Sequence, residues 1–356
     1  MTALRKTGTG AENVGLTSVP VPTPGPGQVR VAVRSVGICG TDLHIMLDEF
    51  PSLPPVTLGH EVSGVVDEIG DGVDPANLER RVALETYFST CGRCARCRSG
   101  QPNLCAERRS IGSHVDGGFT RYVVVPLVNV HDVDESVGLH AGALYEPLAC
   151  VAHCLCDPAV ASPGDRALVV GPGAMGLLAA QVLRAEGADV TIVGTGRDAV
   201  RLDQASALGL HAVVSDALES ATPISGFDVV AECSGSASGV ASGLQHIRKG
   251  GHYVQIGLCG RPVSIDLDAV CLKELRVTSG FASTPQSWER AERLVSAGLV
   301  RLDPLVSGVA ALEHWETSFA DTRAAAGVKL VLDPGAAAGA RGGVGADSTT
   351  QRGVSA

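Results

Sequence analysis

The stretch ALVVGPGAMGLLAAQVLRAEGADVTIVG, residues 167–194, decides the fold class of this 356-residue chain. An apolar strand pattern runs into a glycine-rich turn, then an apolar helix pattern and a second strand. The turn carries G-x-G-x-x-G between strand and helix, the context in which this motif holds a dinucleotide pyrophosphate at a helix N-terminus. Later strand patterns, FDVVAECSGS and HYVQIG, continue the alternation, which predicts an α/β fold with a parallel, doubly wound sheet. The predicted cofactor contacts in the turn are Gly171, Gly173, Ala174, Met175 and Gly176.

The end of the second strand bears on which dinucleotide would bind. A site for NAD usually has an acidic residue there, about 20 residues past the glycines, to hold the ribose 2′-hydroxyl. Here DVTIV is followed by Gly194, Thr195, Gly196 and Arg197, without a carboxylate at the strand end. A guanidinium suits a 2′-phosphate, so the sequence favours NADP(H) over NAD(H), with Thr195 and Arg197 as contacts. The alternative is that Arg197 is a solvated residue at a helix start, and Asp198 follows it directly.

Composition narrows the class of protein. The chain is 45% hydrophobic and carries a formal net charge of −10, which argues against a nucleic-acid or anionic-membrane surface. No apolar run reaches the length of a membrane span, and the first residues lack the apolar core of a signal peptide. Eleven cysteines without an export segment predict reduced thiols in a cytoplasmic protein.

Four of these cysteines are closely spaced in CGRCARCRSGQPNLC, with the pattern C-x2-C-x2-C-x7-C. Four thiolates at such spacing can converge on one tetrahedral metal and leave no open position, as in a structural zinc site. A pair of local disulfides is the alternative, and it would need an oxidising compartment. The predicted structural zinc ligands are Cys91, Cys94, Cys97 and Cys105.

The first part of the chain is rich in short strand patterns. Val29, Val31 and Val33 alternate with polar or small residues, and EVSGVVDEIG, RVALETY and FTRYVVVP follow between Gly and Pro residues. This predicts a β-rich, barrel-like first domain. After about Phe281 a helix pattern, WERAERLVSAGL, and a last strand, VKLVLD, are predicted. The segment from Gly335 has little to bury, which predicts disorder.

Two short motifs near the start contain metal-ligand chemistry. GICGTDLH holds Cys39, Asp42 and His44, and GHE holds His60 and Glu61. Cysteine, histidine and carboxylate together can bind a catalytic zinc and leave one position for water or substrate. Each residue alone has an ordinary structural explanation, as a buried small apolar side chain or a paired polar group. Their joint presence ahead of the cysteine cluster and the glycine motif favours the metal site.

In their order along the chain, GICGTDLH, GHE, the four cysteines, GGFTRYVVVP, EPLAC and GPGAMG resemble the zinc-dependent medium-chain dehydrogenase/reductase family. The resemblance covers about residues 14–334 and is nearest to the sorbitol (polyol) and threonine dehydrogenases. It implies a GroES-like, β-rich catalytic domain at 1–147 and 282–334, a Rossmann coenzyme-binding domain at 148–281, and a tail at 335–356.

The resemblance also implies roles for individual residues. Cys39 and His60 match catalytic zinc ligands, Glu61 matches the next ligand in the polyol branch, and Glu146 in EPLAC matches an acid that reaches the metal directly or through water. Which glutamate binds the metal directly stays open. Thr41 matches the hydroxyl that contacts the substrate oxygen. Two further roles follow: His44 would end a proton relay, and Asp42 would orient its neighbours.

The implied activity is hydride transfer between a secondary alcohol or polyol and NADP(H), giving the ketone, with a catalytic and a structural zinc in each subunit. An NAD-dependent threonine- or sorbitol-type dehydrogenase is the alternative, and a catalytically silent nucleotide-binding subunit is a remote one. The family implies a homodimer or homotetramer, with a small alcohol or ketone as the only other partner.

Two departures from the sorbitol-type pattern concern the substrate. Ile45 and Met46 follow His44 where those enzymes have an aromatic residue, and Ala282 follows Phe281 where they have an arginine. Both changes remove partners for sugar-alcohol hydroxyls, which favours a less hydroxylated secondary alcohol or ketone unless other residues replace those contacts. Cys150, Cys154 and Cys156, just after EPLA, are interpreted as core packing residues on a buried helix, not as a third metal site.

Overall fold

The computed structural model describes residues 1–337. The tail predicted to be disordered begins at Gly335, and from residue 338 onward it lies outside the described residues. In the first part of the chain, strands outnumber helices. Its strands are β1 (Thr2–Lys6), β2 (Val14–Ser18), β3 (Gln28–Gly37), β4 (Val56–Thr57), β5 (Glu61–Ile69), β6 (Arg81–Leu84), β7 (Tyr87–Ser89), β8 (Arg109–Ser110), β9 (Tyr122–Pro126) and β10 (Val130–Asp132). Its helices are α1 (Gly40–Met46), α2 (Ala95–Arg98) and α3 (Tyr145–Cys156).

The remainder alternates strands and helices. The strands are β11 (Arg166–Val170), β12 (Asp189–Gly194), β13 (His211–Val214), β14 (Phe227–Glu232), β15 (Ile247–Gln255), β16 (Arg276–Ser279), β17 (Val306–Ala311) and β18 (Lys329–Asp333). The helices are α4 (Ala174–Ala185), α5 (Ala199–Ala207), α6 (Leu218–Ala221), α7 (Ala237–His246), α8 (Leu267–Leu272), α9 (Pro285–Ser296) and α10 (Trp315–Arg323).

One sheet joins the two ends of the described chain. Its order is β10-β6-β5-β3-β18-β17, and β9 also pairs with β3. Val29, Val31 and Val33 on β3 are at most 1% exposed, so the predicted alternation of buried and exposed residues is confirmed. β18 pairs antiparallel with β3 through Val331 and Leu332, which inserts the last strand into the sheet built by the first residues.

The second sheet has the order β13-β12-β11-β14-β15-β16, and each of these pairs is parallel. The predicted parallel, doubly wound sheet is therefore confirmed. The strand order reverses direction between β11 and β14, and open α/β sheets bind ligands at the carboxyl ends of the strands at such a reversal. The glycine turn that follows β11 lies at this point.

Helix α3 connects the two sheets. It contacts β5 and β6 of the first sheet and α4 beside the second, and its residues from Leu148 to Ala152, except Cys150, are fully buried. The domain boundary expected between residues 147 and 148 falls inside this helix, and stays a prediction. Because α3 begins at Tyr145, Glu146 lies in its first turn, where the two halves meet.

Candidate functional site

The glycine turn has the backbone that its motif requires. Gly171 has φ +99°, a conformation that side chains disfavour. A Cβ on Gly176 would overlap the Gly171 carbonyl oxygen, so glycine allows α4 to pack against the turn. For Gly173, the N-cap of α4, no atom of the described residues other than its chain neighbours lies within 4 Å of an ideal Cβ. The space beside Gly173 and the helix N-terminus suit a phosphate group.

The residues after β12 form a compact cap. Asp198 Oδ2 accepts hydrogen bonds from the Thr195 amide at 2.9 Å and the Thr195 hydroxyl at 2.8 Å. Asp198 Oδ1 lies 3.4 Å from Arg201 Nη1. The Asp198 carboxylate is thus occupied by the cap and by its contact with Arg201, whereas the side chain of Arg197 is exposed to solvent. Arg201, one turn further along, also donates from Nε to the Gly327 carbonyl at 2.7 Å.

Cys39, His60 and Glu61 converge from different elements. Cys39 is the N-cap of α1, His60 precedes β5, and Glu61 begins it. One ligand atom from each of the three lies within 4.8 Å of the other two. A thiol, an imidazole and a carboxylate so arranged match the donor set of an open zinc site, so these residues fit the metal.

A further buried carboxylate, that of Asp42, lies beside this cluster. Asp42 is fully buried, and its Oδ1 lies 3.4 Å from His60 Nδ1. Its Oδ2 accepts a hydrogen bond from the Cys39 amide at 2.9 Å. Burial acts to lower the pKa of His60, but Asp42 and Cys39 outweigh it and raise that pKa well above its ordinary value. A site that stabilises positive charge on a buried histidine suits a bound cation, with Asp42 orienting the imidazole.

The two candidate glutamates have different partners. Glu61 is paired through both carboxylate oxygens with Lys329 Nζ, at 2.7 and 2.8 Å. Glu146 Oε1 instead accepts from the Thr86 hydroxyl at 2.6 Å and from the Cys150 thiol at 3.3 Å. Burial raises the pKa of Glu146; His60 opposes the shift and Glu61 adds to it. Glu61 lies within the donor cluster, whereas Glu146 is a neighbouring buried carboxyl.

Helix α1 carries both residues expected to handle the proton. Thr41 and His44 are three positions apart and line the same cleft. His44 Nδ1 lies 2.6 Å from Glu49 Oε2, and both side chains are partly open to solvent. Thr41 lies in the first turn of α1, two residues from Cys39, and His44 lies in its last turn. Their expected roles in proton transfer stay predictions.

One cleft of about 530 Å³ brings these groups together. Its lining includes the metal cluster, the glycine turn and the first residues after β14. The site residues that line it are Cys39, Thr41, His44, His60, Glu61, Glu146, Gly173, Ala174, Met175, Arg201 and Lys329. The candidate metal and the candidate cofactor site therefore face one space.

The four-cysteine lobe is a separate cluster. The Sγ atoms of Cys91, Cys94, Cys97 and Cys105 all lie within 4.8 Å of one another. Cys97 Sγ lies 3.9 Å from Cys91 Sγ and 3.6 Å from Cys94 Sγ. Four sulfurs at zinc–sulfur bond length would be about 3.8 Å apart, so the lobe fits a closed tetrahedral zinc. The backbone N–H groups of Arg93 and Cys94 donate to the Cys91 sulfur, and they lower the pKa of Cys91 to about 6.

Lys329 and Arg108, which sequence reasoning did not single out, and Glu232, at the end of a predicted strand, complete the site. Lys329 is a lone cation in the apolar strand VKLVLD, and this pattern could have marked it as a residue of interest. The sequence could not show that Glu61 is its partner. Glu232, at the end of β14, is fully buried and accepts from the Ser234 and Gly235 amides at 2.9 and 3.1 Å, which fixes the loop beside the glycine turn. Arg108, just after the cysteine lobe, lines the cleft.

The other cysteines near EPLA are divided between core and cleft. Cys154 and Cys156 are 8% and 5% exposed within the core around α3, as expected for packing residues. Cys154 also lines the cleft, together with Cys150. Burial and the neighbouring Glu146 raise the pKa of Cys150 well above its ordinary value, so its thiol stays protonated and donates to that carboxyl.

Comparison with known proteins places this geometry in a family. Residues 25–135 match the model of the alcohol dehydrogenase GroES-like domain, and residues 174–297 match that of the zinc-binding dehydrogenases. A sorbitol dehydrogenase of Halalkalibacterium halodurans is 35% identical over 342 residues, which cover 94% of this chain and 99% of that protein. D-xylulose reductase A of Aspergillus niger is 34% identical, over 85% of this chain and 88% of that protein.

A solved structure of a Sinorhizobium meliloti protein, described as a zinc-binding dehydrogenase bound to NADP, superposes with a TM-score of 0.84. It is 34% identical and covers 94% of this chain and 99% of that chain. The two family matches, the relatives and the shared architecture agree with the metal cluster and the glycine turn in one cleft. The chain belongs to the zinc-dependent medium-chain dehydrogenase/reductase family, in its sorbitol (polyol) branch, and is an alcohol or polyol dehydrogenase.

Proposed function

We propose that this enzyme interconverts a secondary alcohol or polyol and its ketone with NADP(H), using a zinc held by Cys39, His60 and Glu61. The observation that carries the proposal is that these three ligands and the Gly173 turn line one cleft. When bound, zinc would supply a Lewis acid for the substrate oxygen and the nicotinamide would supply the redox chemistry. The remaining work falls to residues of this chain.

Thr41 and His44 would handle the alcohol proton. The Thr41 hydroxyl, two residues from Cys39 in the first turn of α1, would accept the proton from the substrate oxygen. His44 and its partner Glu49 reach solvent, so this pair can release the proton to water. Asp42 would keep the His60 imidazole oriented toward the metal through its contact with Nδ1.

Glu61 and Glu146 would have separate tasks. We assign Glu61 as the nearer ligand because it belongs to the donor cluster and Lys329 fixes both of its oxygens. Glu146, with its raised pKa, would act through a water molecule beside the metal. A second zinc, at Cys91, Cys94, Cys97 and Cys105, would hold the lobe that precedes Arg108 in the chain.

NADP(H) is the proposed cofactor because Arg197 is exposed after β12 while Asp198 is occupied by its own cap. The Arg201 guanidinium lies one turn away and adds positive charge. Titration of the protein with NADPH and NADH tests this. We expect tighter binding of NADPH, and loss of that preference in Arg197→Ala but not in the surface control Arg293→Ala. Equal affinities in the unmodified protein would favour the NAD-dependent alternative.

The activity itself is tested with the zinc-loaded enzyme and saturating NADP⁺. Initial rates on a linear polyol and on an apolar secondary alcohol would be compared. A ratio well above one means that the polyol pocket survives despite Ile45 and Ala282, and a ratio well below one means that these residues favour less hydroxylated substrates. Absence of turnover with every alcohol and ketone, in either direction and with either cofactor, would instead support a silent nucleotide-binding subunit.

Assembly and placement are also proposals. Strand β16 ends the second sheet, and its four residues are exposed, as are Leu267 and Leu272 on the adjacent α8. This edge supports a homodimer or homotetramer, which light scattering would measure and Val277→Lys would disrupt. The eleven cysteines are free, which supports the cytoplasm as the compartment. Among the described residues, the helices are too short or too polar to cross a membrane.

A further inference from the structure

Arg108 brings a cation into the cleft without a matching protein acceptor. Within the described part of the chain, its Nη1 is shielded from water and has no hydrogen-bond partner, and its nitrogens form no ion pair with a carboxylate. Burial lowers the pKa of this guanidinium. A guanidinium has five donors in a fixed fork, and leaving them unmet in a poorly hydrated place is unfavourable.

The position of Arg108 is nevertheless well defined. Its amide donates to the Cys105 carbonyl at 3.1 Å, which ties it to the end of the cysteine lobe. Its Cζ lies 4.7 Å from the centroid of the Phe281 ring. The Phe281 carbonyl is in turn held by Asn103 Nδ2 at 2.9 Å. The lobe and the aromatic ring therefore hold the guanidinium at the cleft wall from two sides.

A second unmet polar group lies two residues further on. Ser110, on β8, lines the same cleft, and its buried hydroxyl has no hydrogen-bond partner in residues 1–337. A hydroxyl and a guanidinium together can donate several hydrogen bonds to one group of acceptor oxygens. Phosphate and carboxylate are the groups that such a charged fork binds best.

We propose that Arg108 and Ser110 recognise an anionic oxygen group, a phosphate ester or a carboxylate, carried by the alcohol substrate. This inference rests on the proposed function, because it concerns the substrate of that same cleft. It makes the substrate a charged polyol or hydroxy acid, and it gives the cysteine lobe a role in specificity, since the lobe positions Arg108.

The test compares kcat/KM of the zinc-loaded enzyme for three matched alcohols: a pentitol, its 5-phosphate and the corresponding pentonic acid. We expect one of the two charged substrates to exceed the neutral pentitol by about tenfold or more. A higher value for the phosphate or for the acid identifies which anion is the natural one. Competitive inhibition by inorganic phosphate, with the pentitol as substrate, gives a second readout.

Variants separate recognition from folding. In Arg108→Ala, kcat/KM for the preferred charged substrate should fall by about 10- to 100-fold, much more than for the pentitol, and phosphate inhibition should weaken. Arg108→Lys should recover part of the loss. Arg109→Ala, an exposed neighbour outside the cleft lining, is the matched control. If Arg108→Ala does not fold, the kcat/KM values of Ser110→Ala and Arg108→Lys for the charged and neutral substrates are compared instead.

Preference for the neutral pentitol in the unmodified enzyme would overturn the inference, and so would equal losses on all three substrates in Arg108→Ala. The second result would mean that Arg108 supports the fold or binds ordinary hydroxyls. Failure of the unmodified enzyme with all three alcohols and with their ketones would count against the proposed function instead.

Discussion

Lys329 Nζ lies 2.7 Å from one carboxylate oxygen of Glu61 and 2.8 Å from the other, although the two residues are 268 positions apart. Both side chains are at most 5% exposed. The pair therefore places a buried, charged link between the last strand and the residue next to His60. Removing one partner of such a pair leaves the other charge buried and uncompensated.

Replacing the cation alone should be costly. We expect Lys329→Met to lower the free energy of unfolding by about 3–5 kcal/mol, measured by denaturant titration. Glu61→Gln/Lys329→Met should lose less than the sum of the two single changes, because both charges are then absent. Lys249→Met, on an exposed lysine, is the control. A loss no larger than that of the control would mean that the pair contributes little to stability.

Metal content tests the two proposed zinc sites separately. Cys39→Ser should reduce bound zinc from two ions per subunit to one and abolish turnover, because a catalytic ligand is lost while the lobe is intact. Elemental analysis of the purified variants measures this. Cys271→Ser, at an exposed cysteine outside both clusters, should keep both ions. Two zincs and near-normal rates in Cys39→Ser would contradict the assignment of Cys39.

The glycines of the turn should respond differently to a methyl group. Gly176→Ala forces α4 away from the Gly171 carbonyl and should cost about 1–3 kcal/mol of stability. Gly173→Ala adds a methyl group that meets no atom within residues 1–337 beyond its chain neighbours, so stability should change little while NADPH affinity falls. Thermal unfolding and cofactor titration of both variants give the comparison. Unchanged cofactor affinity in Gly173→Ala would mean that the pyrophosphate lies elsewhere.

His131 predicts a pH dependence of stability. Its Nε2 lies 2.9 Å from Glu85 and its Nδ1 2.8 Å from Glu292, and its ring stacks on Trp288 at 4.2 Å. Burial opposes the charged form, but the two carboxylates outweigh it and raise the pKa of His131 to about 9. Because the pKa is raised on folding, the stabilisation is fully present below about pH 6.5 and is lost as pH rises through 9.

The loss should amount to about 3 kcal/mol at most across that range. Denaturant titrations between about pH 6 and 10 measure it, and His131→Gln should remove this part of the slope while other groups still titrate. The same pH dependence in the variant and the unmodified protein would show that His131 is not the group responsible.

The sequence was sufficient for those parts of the site whose chemistry requires local spacing. Gly171, Gly173 and Gly176 must lie within one turn, and this motif could be recognised from its spacing together with the strand and helix patterns on either side. Cys91 to Cys105 must reach one point, so that cluster could be recognised from its spacing. The parallel sheet followed from the same reasoning, because its strands and helices alternate regularly along the chain.

The remaining features depend on contacts between distant residues. Lys329 on β18 meets Glu61 on β5, and Glu292 on α9 meets His131 on β10, 161 positions away. Neither pair has a spacing that a sequence pattern could reveal. The position of Arg108 in the cleft could not be predicted from the sequence either. An arginine beside a basic, exposed lobe resembles an ordinary surface residue, and only the fold shows that it lies against Phe281.

The place of β18 inside the first sheet has a consequence for synthesis on the ribosome. This strand lies between β3 and β17 and supplies Lys329, yet it is among the last described segments to be translated. Cys39, His60 and Glu61 are translated early, and more than two thirds of the chain must follow before β18 can join their sheet. The coenzyme-binding sheet, with all six strands made by Ser279, can form before that. A nascent chain stalled short of Lys329 would thus hold a nucleotide fold beside an unfinished metal pocket.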